Sequence, residues 1–216
     1  MKISNRLKKI SSLINDDSFL LDVGCDHGLL DIYTVLNKKK IKALAVDINE
    51  QPLLKAKENI KKYNLEESIK TSISDGLEVL TSDIDVIVIS GMGGILIKDI
   101  ILKDINKITN QTLILCPNND SDVIRKSLTK NNFKLEQEFL VEDKYIYEIL
   151  VFKKGKDKLN KKEIKYGKYF KKDTLYKKYF NLKLENLENI KNNLPKKYIF
   201  KKLEIIKKIR DIKSII

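Results

Sequence analysis

Asp22-Val23-Gly24-Cys25-Asp26-His27-Gly28 puts two carboxylates and the chain's one imidazole into a tight turn between two apolar segments. Residues 18–23, running into the turn, read as a strand, and Leu29–Leu30 after it open a helix. That is the strand–loop–helix entry of a nucleotide-binding α/β domain. A dinucleotide fingerprint would read G-x-G-x-x-G, leaving bare backbone for a pyrophosphate at the helix N-terminus. Here the turn reads G-x-D-x-G, with Asp26 where a phosphate would approach and Asp22 just before it. Paired carboxylates repel a pyrophosphate and suit a cation. S-adenosylmethionine carries a sulfonium and an ammonium, so it is the cofactor these charges select, and NAD is disfavoured.

Further acids recur at strand ends. The apolar run Ile41–Val46 ends on Asp47, 23 residues after Gly24, where a carboxylate can accept hydrogen bonds from both hydroxyls of an adenosine ribose. Asp47 could equally cap the next helix. Ile48 and Asn49 would edge an adenine pocket. Asp75-Gly76 follows a third strand, Ile69–Ser74, where a carboxylate can accept the adenine amino group and glycine lets the chain turn. The most hydrophobic strand, Ile84–Ser90, runs into Gly91-Met92-Gly93-Gly94. Three glycines in four residues mean close backbone approach or positive φ, at the position that meets the substrate and the transferable methyl, or else a purely structural turn.

Around these turns the spacing predicts helices over 2–14, capped by Ser4, and over 29–37, 50–63, 95–103 and 120–131. The last has Asp120 as its cap and Arg125 on its surface. A fifth strand, Gln111–Cys116, stops at Pro117, and Phe133–Val141 and Lys144–Phe152 form a hairpin. Strand–helix alternation closing with an antiparallel pair is a seven-stranded mixed sheet, the Rossmann-like build of class I methyltransferases. Residues 1–152 make that domain. After them Lys153–Lys156 is a polar linker, followed by a short helix near 161–170. Tyr176, Phe180, Leu184, Leu187, Ile190 and Leu194, then Ile199, Leu203, Ile206, Ile209, Ile212 and Ile216, predict two helices joined near 192–195 as a coiled-coil-like hairpin.

Composition narrows the function classes. The chain has 216 residues and a formal charge of +13. Residues 153–216 hold 22 Lys and Arg against 7 Asp and Glu, whereas residues 1–152 hold 21 against 23. A lysine-biased genome would enrich lysine everywhere without stripping acids from the tail alone. The asymmetry therefore favours a polyanion-binding appendage, with Lys171, Lys172, Lys177, Lys178, Lys196, Lys197, Lys201, Lys202, Lys207 and Lys208 between the apolar positions. No apolar run approaches the ~20 residues of a membrane span, and the N-terminus has no signal-type core. Cys25 and Cys116 stand alone, without metal-ligand spacing, so the expectation is a metal-free cytoplasmic protein, most simply a monomer.

Taken together, Asp22–Gly28, Asp47-Ile48-Asn49, Asp75-Gly76 and Gly91–Gly94, with Ser4–Leu7, Pro117-Asn118 and the basic C-terminal helices, resemble the TrmK family of bacterial tRNA (adenine(22)-N1)-methyltransferases. Two positions depart from its pattern: Cys25 replaces a small hydroxyl residue, and Asp31 stands where a proline often follows. The resemblance implies methylation of N1 of an adenine in the D-loop region of tRNA. It implies cofactor contacts at Asp22, Gly24, Asp26, His27, Asp47, Ile48, Asp75, Gly76, Gly91 and Met92. Direct displacement by adenine N1 needs no protein nucleophile, so catalysis rests on positioning. Gly91, Met92 and Asp26 are the catalytic candidates; Asp26 either stabilises the cationic base or orients the cofactor. Arg6, Gly93, Gly94 and the lysines at 171, 172, 177 and 178 are the substrate-side candidates, and Arg6 could equally be a packed surface residue. Methylation of another RNA, and noncatalytic RNA binding on the same fold, are the alternatives.

Overall fold

The computed structural model describes residues 1–195 and 197–216, so Lys196, half of one lysine pair, lies outside the described residues. Its elements are α1 (Asn5–Ser12), β1 (Phe19–Val23), α2 (Leu29–Asn37), β2 (Lys42–Asp47), α3 (Glu50–Lys62), β3 (Ile69–Ile73), β4 (Val86–Ser90) and α4 (Gly94–Lys103). After a single 3-10 turn come β5 (Thr112–Cys116), α5 (Ser121–Lys130), β6 (Phe133–Glu142) and β7 (Ile146–Lys154). The C-terminal part holds α6 (Lys161–Tyr166), α7 (Thr174–Asn193) and α8 (Ile199–Lys213). The seven strands form one mixed sheet, as the alternation predicts, in the order β3-β2-β1-β4-β5-β7-β6. β1 to β5 run parallel, and β7 lies antiparallel between β5 and β6.

Both faces of the parallel strands are covered, which is why β1 and β4 read as continuous apolar runs. Leu20, Ala43, Ala45, Val88 and Ile114 face Ile10 of α1, Ile32 of α2 and Leu53, Ala56 and Ile60 of α3. Leu21, Val46, Ile87, Ile89 and Leu113 face Ile97 and Ile101 of α4 and Ile124 and Leu128 of α5. Each such leucine, isoleucine or valine contributes about 1.5–3 kcal/mol on burial. The strand order reverses between β1 and β4, and their C-terminal ends leave a crevice there.

Several sequence expectations change. α1 is shorter than 2–14: Ser4 does cap it, accepting from the Leu7 N–H, but Ile14 is buried beyond the helix end. Asp120 makes no cap bond and sits at φ 53°, because the Gly94 N–H donates to the Asn119 carbonyl and shapes that loop from outside. Arg125 is not on the surface. It is fully buried, with Nε 2.6 Å from Glu138 and Nη2 2.5 Å from Glu148. The periodicity of α5 put it outward because its partners, on β6 and β7, pack over that side of the helix.

This buried arginine ties the C-terminal helices to the sheet. Arg125 also donates to the Ile164 carbonyl of α6, Glu138 accepts the Lys168 and Tyr169 N–H groups, and the Tyr179 hydroxyl of α7 bonds to Glu148. Tyr166, Phe170, Tyr176, Tyr179 and Phe180 pack as an aromatic cluster beside Leu140 and Ile146 of the hairpin. α7 and α8 form the expected antiparallel pair, with the Tyr176 hydroxyl near the start of α7 donating to the Ile215 carbonyl past the end of α8. The packed face of α8 matches the predicted one only in its second half. Ile209 and Ile212 are buried as predicted, but Ile205 is buried in place of Ile206, and Ile199, Leu203 and Ile216 are exposed. Adjacent isoleucines at 205 and 206 let the pattern be read one position out. No described helix is long and apolar enough to cross a membrane.

Candidate active site

A cavity of about 480 Å³ opens at the crevice, within the range of small-molecule sites. Among the sequence candidates, Arg6, Asp22, Gly24, Asp26, His27, Asp47, Gly91 and Met92 come together in its wall; Leu7, Cys25, Leu29, Leu30, Ser90, Asn118 and Tyr147 complete it.

Its floor is the turn after β1. The Gly24 and Cys25 N–H groups both donate to the Val46 carbonyl, tying the turn to β2. Gly24 sits at φ +73°, a conformation that requires glycine, and the Met92 terminal methyl lies across it, 2.2 Å from where a Cβ would fall. Asp26 also takes a left-handed conformation, at φ 52°, and its carboxylate lies 3.5 Å from His27 Nδ1 at the exposed mouth. Asn59 of α3 donates to the His27 carbonyl at 2.9 Å, fixing the outer half of the turn.

Asp47 is half-buried at the end of β2. Its Oδ1 accepts the Asn49 N–H at 2.9 Å and its Oδ2 has no protein partner among the described residues. Asn49, not Asp47, occupies the N-cap position of α3, which removes the capping role and leaves the carboxylate available to a ligand. Asp22 is buried on the α1–α3 side of β1. Burial pushes its carboxyl up to about 7, with Asp47 adding repulsion. Burial and the carboxylates of Asp22, Asp31 and Asp47 push the Cys25 thiol well up, so it is no nucleophile at neutral pH. Three carboxylates against one arginine make this cavity anionic, which fits a cationic cofactor and not a pyrophosphate.

The other predicted positions lie outside this wall. Ile48 is exposed beyond Asp47. Asp75 and Gly76 follow β3 next to it, where the Ser74 N–H bonds to the Asp47 carbonyl, and the Asp75 carboxylate pairs with Lys103 at 2.7 Å. Gly93 and Gly94 back onto the Asn118–Asp120 loop. A Cβ on Gly94 would meet the Asp120 carbonyl oxygen at 2.4 Å, so this glycine lets α4 approach α5. Lys171, Lys172, Lys177 and Lys178 are exposed around the start of α7, with Lys178 paired to Glu142.

Three contributors were not singled out for the site from the sequence. Asn118 holds the Gly91–Met92 turn from both sides: its Nδ2 donates to the Gly91 carbonyl at 2.5 Å and its N–H to the Met92 carbonyl at 2.8 Å. Tyr147 of β7 lines the cavity with the Arg6 guanidinium 4.8 Å from its ring centre. Asp143, in the β6–β7 turn, accepts the Asn5 and Arg6 N–H groups at 2.7 Å each and so fixes α1 and Arg6. Only Asn118 had a local signal, its place after the Pro117 strand stop; the other two act across more than a hundred residues.

A second cavity, about 540 Å³, adjoins the first and shares Asn118 and Tyr147 with it. Tyr145, Glu148, Lys165, Tyr179 and Lys183 are among its walls.

A family described as a methyltransferase domain matches residues 3–150. The tRNA (adenine(22)-N(1))-methyltransferase of Bacillus subtilis is 38% identical over 158 residues, which cover 72% of this chain and 66% of that protein. The Mycoplasma capricolum TrmK structure, in complex with S-adenosylhomocysteine, superposes with a TM-score of 0.87 at 34% identity, covering 99% of this chain and 97% of that one. The B. subtilis TrmK crystal structure gives 0.84 at 29% identity, with 99% and 98% covered. With the fold matched end to end and the anionic crevice at the strand-order reversal, the chain belongs to the TrmK family of S-adenosylmethionine-dependent methyltransferases.

Proposed function

We propose that this protein methylates N1 of adenine 22 in tRNA, with the methyl donor in the anionic cavity and the acceptor base entering from the second one. S-adenosylmethionine, when bound, supplies an electrophilic methyl group on a sulfonium. Asp22 would hold its ammonium end and Asp47 its ribose hydroxyls, with Gly24 and Gly91 giving backbone access. Ile48, Asp75 and Gly76, grouped beyond Asp47, are proposed for the adenine end; Asp75 would then exchange its Lys103 partner for the adenine amino group.

Asn118 and Tyr147 stand where the two cavities meet, so the acceptor base would pass between them. Tyr147 offers a stacking face and Arg6 a cation beside it. Adenine N1 already carries a lone pair, so no general base is needed, and Asp26 at the mouth is placed to orient the donor or to balance charge on the methylated base. Because N1 lies on the pairing edge, the base must leave its stack. The tRNA body would lie along the lysine-rich C-terminal side. There Lys126, Lys130, Lys158, Lys161, Lys162 and Lys165 surround a groove between α5, α6 and α8.

The observation that carries this reading is the acid-lined cavity joined, through Asn118 and Tyr147, to a second cavity of about 540 Å³. Transfer of labelled methyl from S-adenosylmethionine to unmodified tRNA, measured beside ribosomal RNA and free adenosine, tests it. Label entering tRNA supports the assignment, and label entering only ribosomal RNA would reassign the substrate.

A further inference from the structure

Asp31 has no part in the reading above, yet it is fully buried and neither of its carboxylate oxygens has a hydrogen-bond partner among the described residues. It occupies the third position of α2, on the side facing β1, where its neighbour is Asp22, itself 4% exposed. The charged groups acting on the two are acids. Asp47 faces them from β2 and the Cys25 thiol from the turn after β1. Arg6 from α1, Asp26 and His27 from that turn and Tyr147 from β7 line the cavity beyond Asp22.

Two ionised carboxylates cannot share a dry site, and two unprotonated ones cannot hydrogen-bond each other. One proton resolves both conflicts, because a protonated carboxyl donates. Asp22 reaches the cavity wall and Asp31 does not, so the proton belongs on Asp31, the deeper of the two. We propose that Asp31 is a proton-bearing positioning residue: it stays neutral, donates its carboxyl proton to Asp22, and so holds Asp22 ionised and aimed at the ammonium of S-adenosylmethionine. This rests on the cofactor placement proposed above.

The pair then divides its work. Asp31 keeps its proton with and without the cofactor. Asp22 titrates near 7, so below that pH the cofactor must displace a proton from Asp22 to solvent, and its affinity falls as the pH drops.

Calorimetric titration of S-adenosylmethionine into the full-length protein, in buffers of different ionisation enthalpy on either side of the Asp22 midpoint, counts the released protons. Infrared spectra of the cofactor-saturated protein above the Asp22 midpoint, where Asp22 is ionised, report the protonated Asp31 carboxyl. Asp31→Asn keeps a neutral donor, so affinity should stay within about threefold and the pH profile should persist, while the protonated-carboxyl band disappears. Asp31→Leu removes the donor and should weaken binding roughly tenfold or more. The proposal is overturned if Asp31→Asn loses as much affinity as Asp31→Leu, if the infrared band survives in Asp31→Asn, or if Asp31→Leu binds like the wild type. Should Asp31→Leu not fold, the asparagine variant and its spectrum decide alone. Failure of the wild-type protein to bind S-adenosylmethionine would instead remove the cofactor placement itself.

Discussion

Asp47 and Gly24 show how single residues shape this cavity. Asp47 satisfies one oxygen with Asn49 and presents the other without a protein partner among the described residues. Replacing it by alanine removes charge-assisted hydrogen bonds worth about 1.5–3 kcal/mol each, so S-adenosylmethionine affinity should fall roughly 10–100-fold with the melting temperature little changed. An unaltered calorimetric affinity would remove Asp47 from the site. Gly24→Ala forces an L-residue into a left-handed conformation, costing about 1–2 kcal/mol, and pushes Met92 off the turn. Both a lower melting temperature and weaker cofactor binding are expected; a variant that melts and binds like the wild type would contradict the close packing of Met92 on Gly24.

At the scale of elements, the hairpin β6–β7 is the hub. It supplies Tyr147 to the cavity, Asp143 to α1, and Glu138 and Glu148 to Arg125 of α5. Arg125→Ala leaves two buried carboxylates without their cation and should cost about 3–5 kcal/mol of stability, read by denaturant melts. Burial alone would raise the Glu148 carboxyl, but Arg125, Lys183 and the Tyr179 hydroxyl outweigh it and hold it at about 2. Its pKa is lowered on folding, so it stabilises the native state above the ordinary glutamate range, and that contribution is lost as pH falls from about 4.5 towards 2. An Arg125→Ala variant should therefore lose stability much less steeply over that acid window than the wild type.

The same elements mark the limit of what the chain discloses by itself. The strand ends and glycine turns were legible because their chemistry is local: Asp22, Gly24, Asp26, Asp47, Gly91 and Met92 each sit at a break in hydrophobic patterning, and all line the cavity. Arg125 was misplaced because a helix-facing pattern treats arginine as polar and outward, while its two partners lie 13 and 23 residues away on strands. Tyr147 and Asp143 gave no signal, since their roles depend on how α1 closes over the far edge of the sheet. The face of α8 was ambiguous for a different reason: Ile205 and Ile206 are adjacent, and the periodicity does not choose between them.

For the whole molecule, charge divides the labour: acids concentrate at the cofactor cavity and lysines on the C-terminal third. Substituting Lys171, Lys172 and Lys177 with Glu should raise KM for tRNA and flatten its salt dependence, while leaving cofactor affinity unchanged. Unchanged KM would move the docking surface elsewhere, with the Lys161–Lys165 groove as the next place to look. The account's central claim is tested most directly by locating the product. Unmodified tRNA is incubated with the purified protein and S-adenosylmethionine, and the modified base is mapped by reverse-transcription arrest and by mass spectrometry of the digested RNA. The account predicts a single methyl group on N1 of adenine 22. An unmodified transcript, or a methyl group on any other atom or residue, would contradict it.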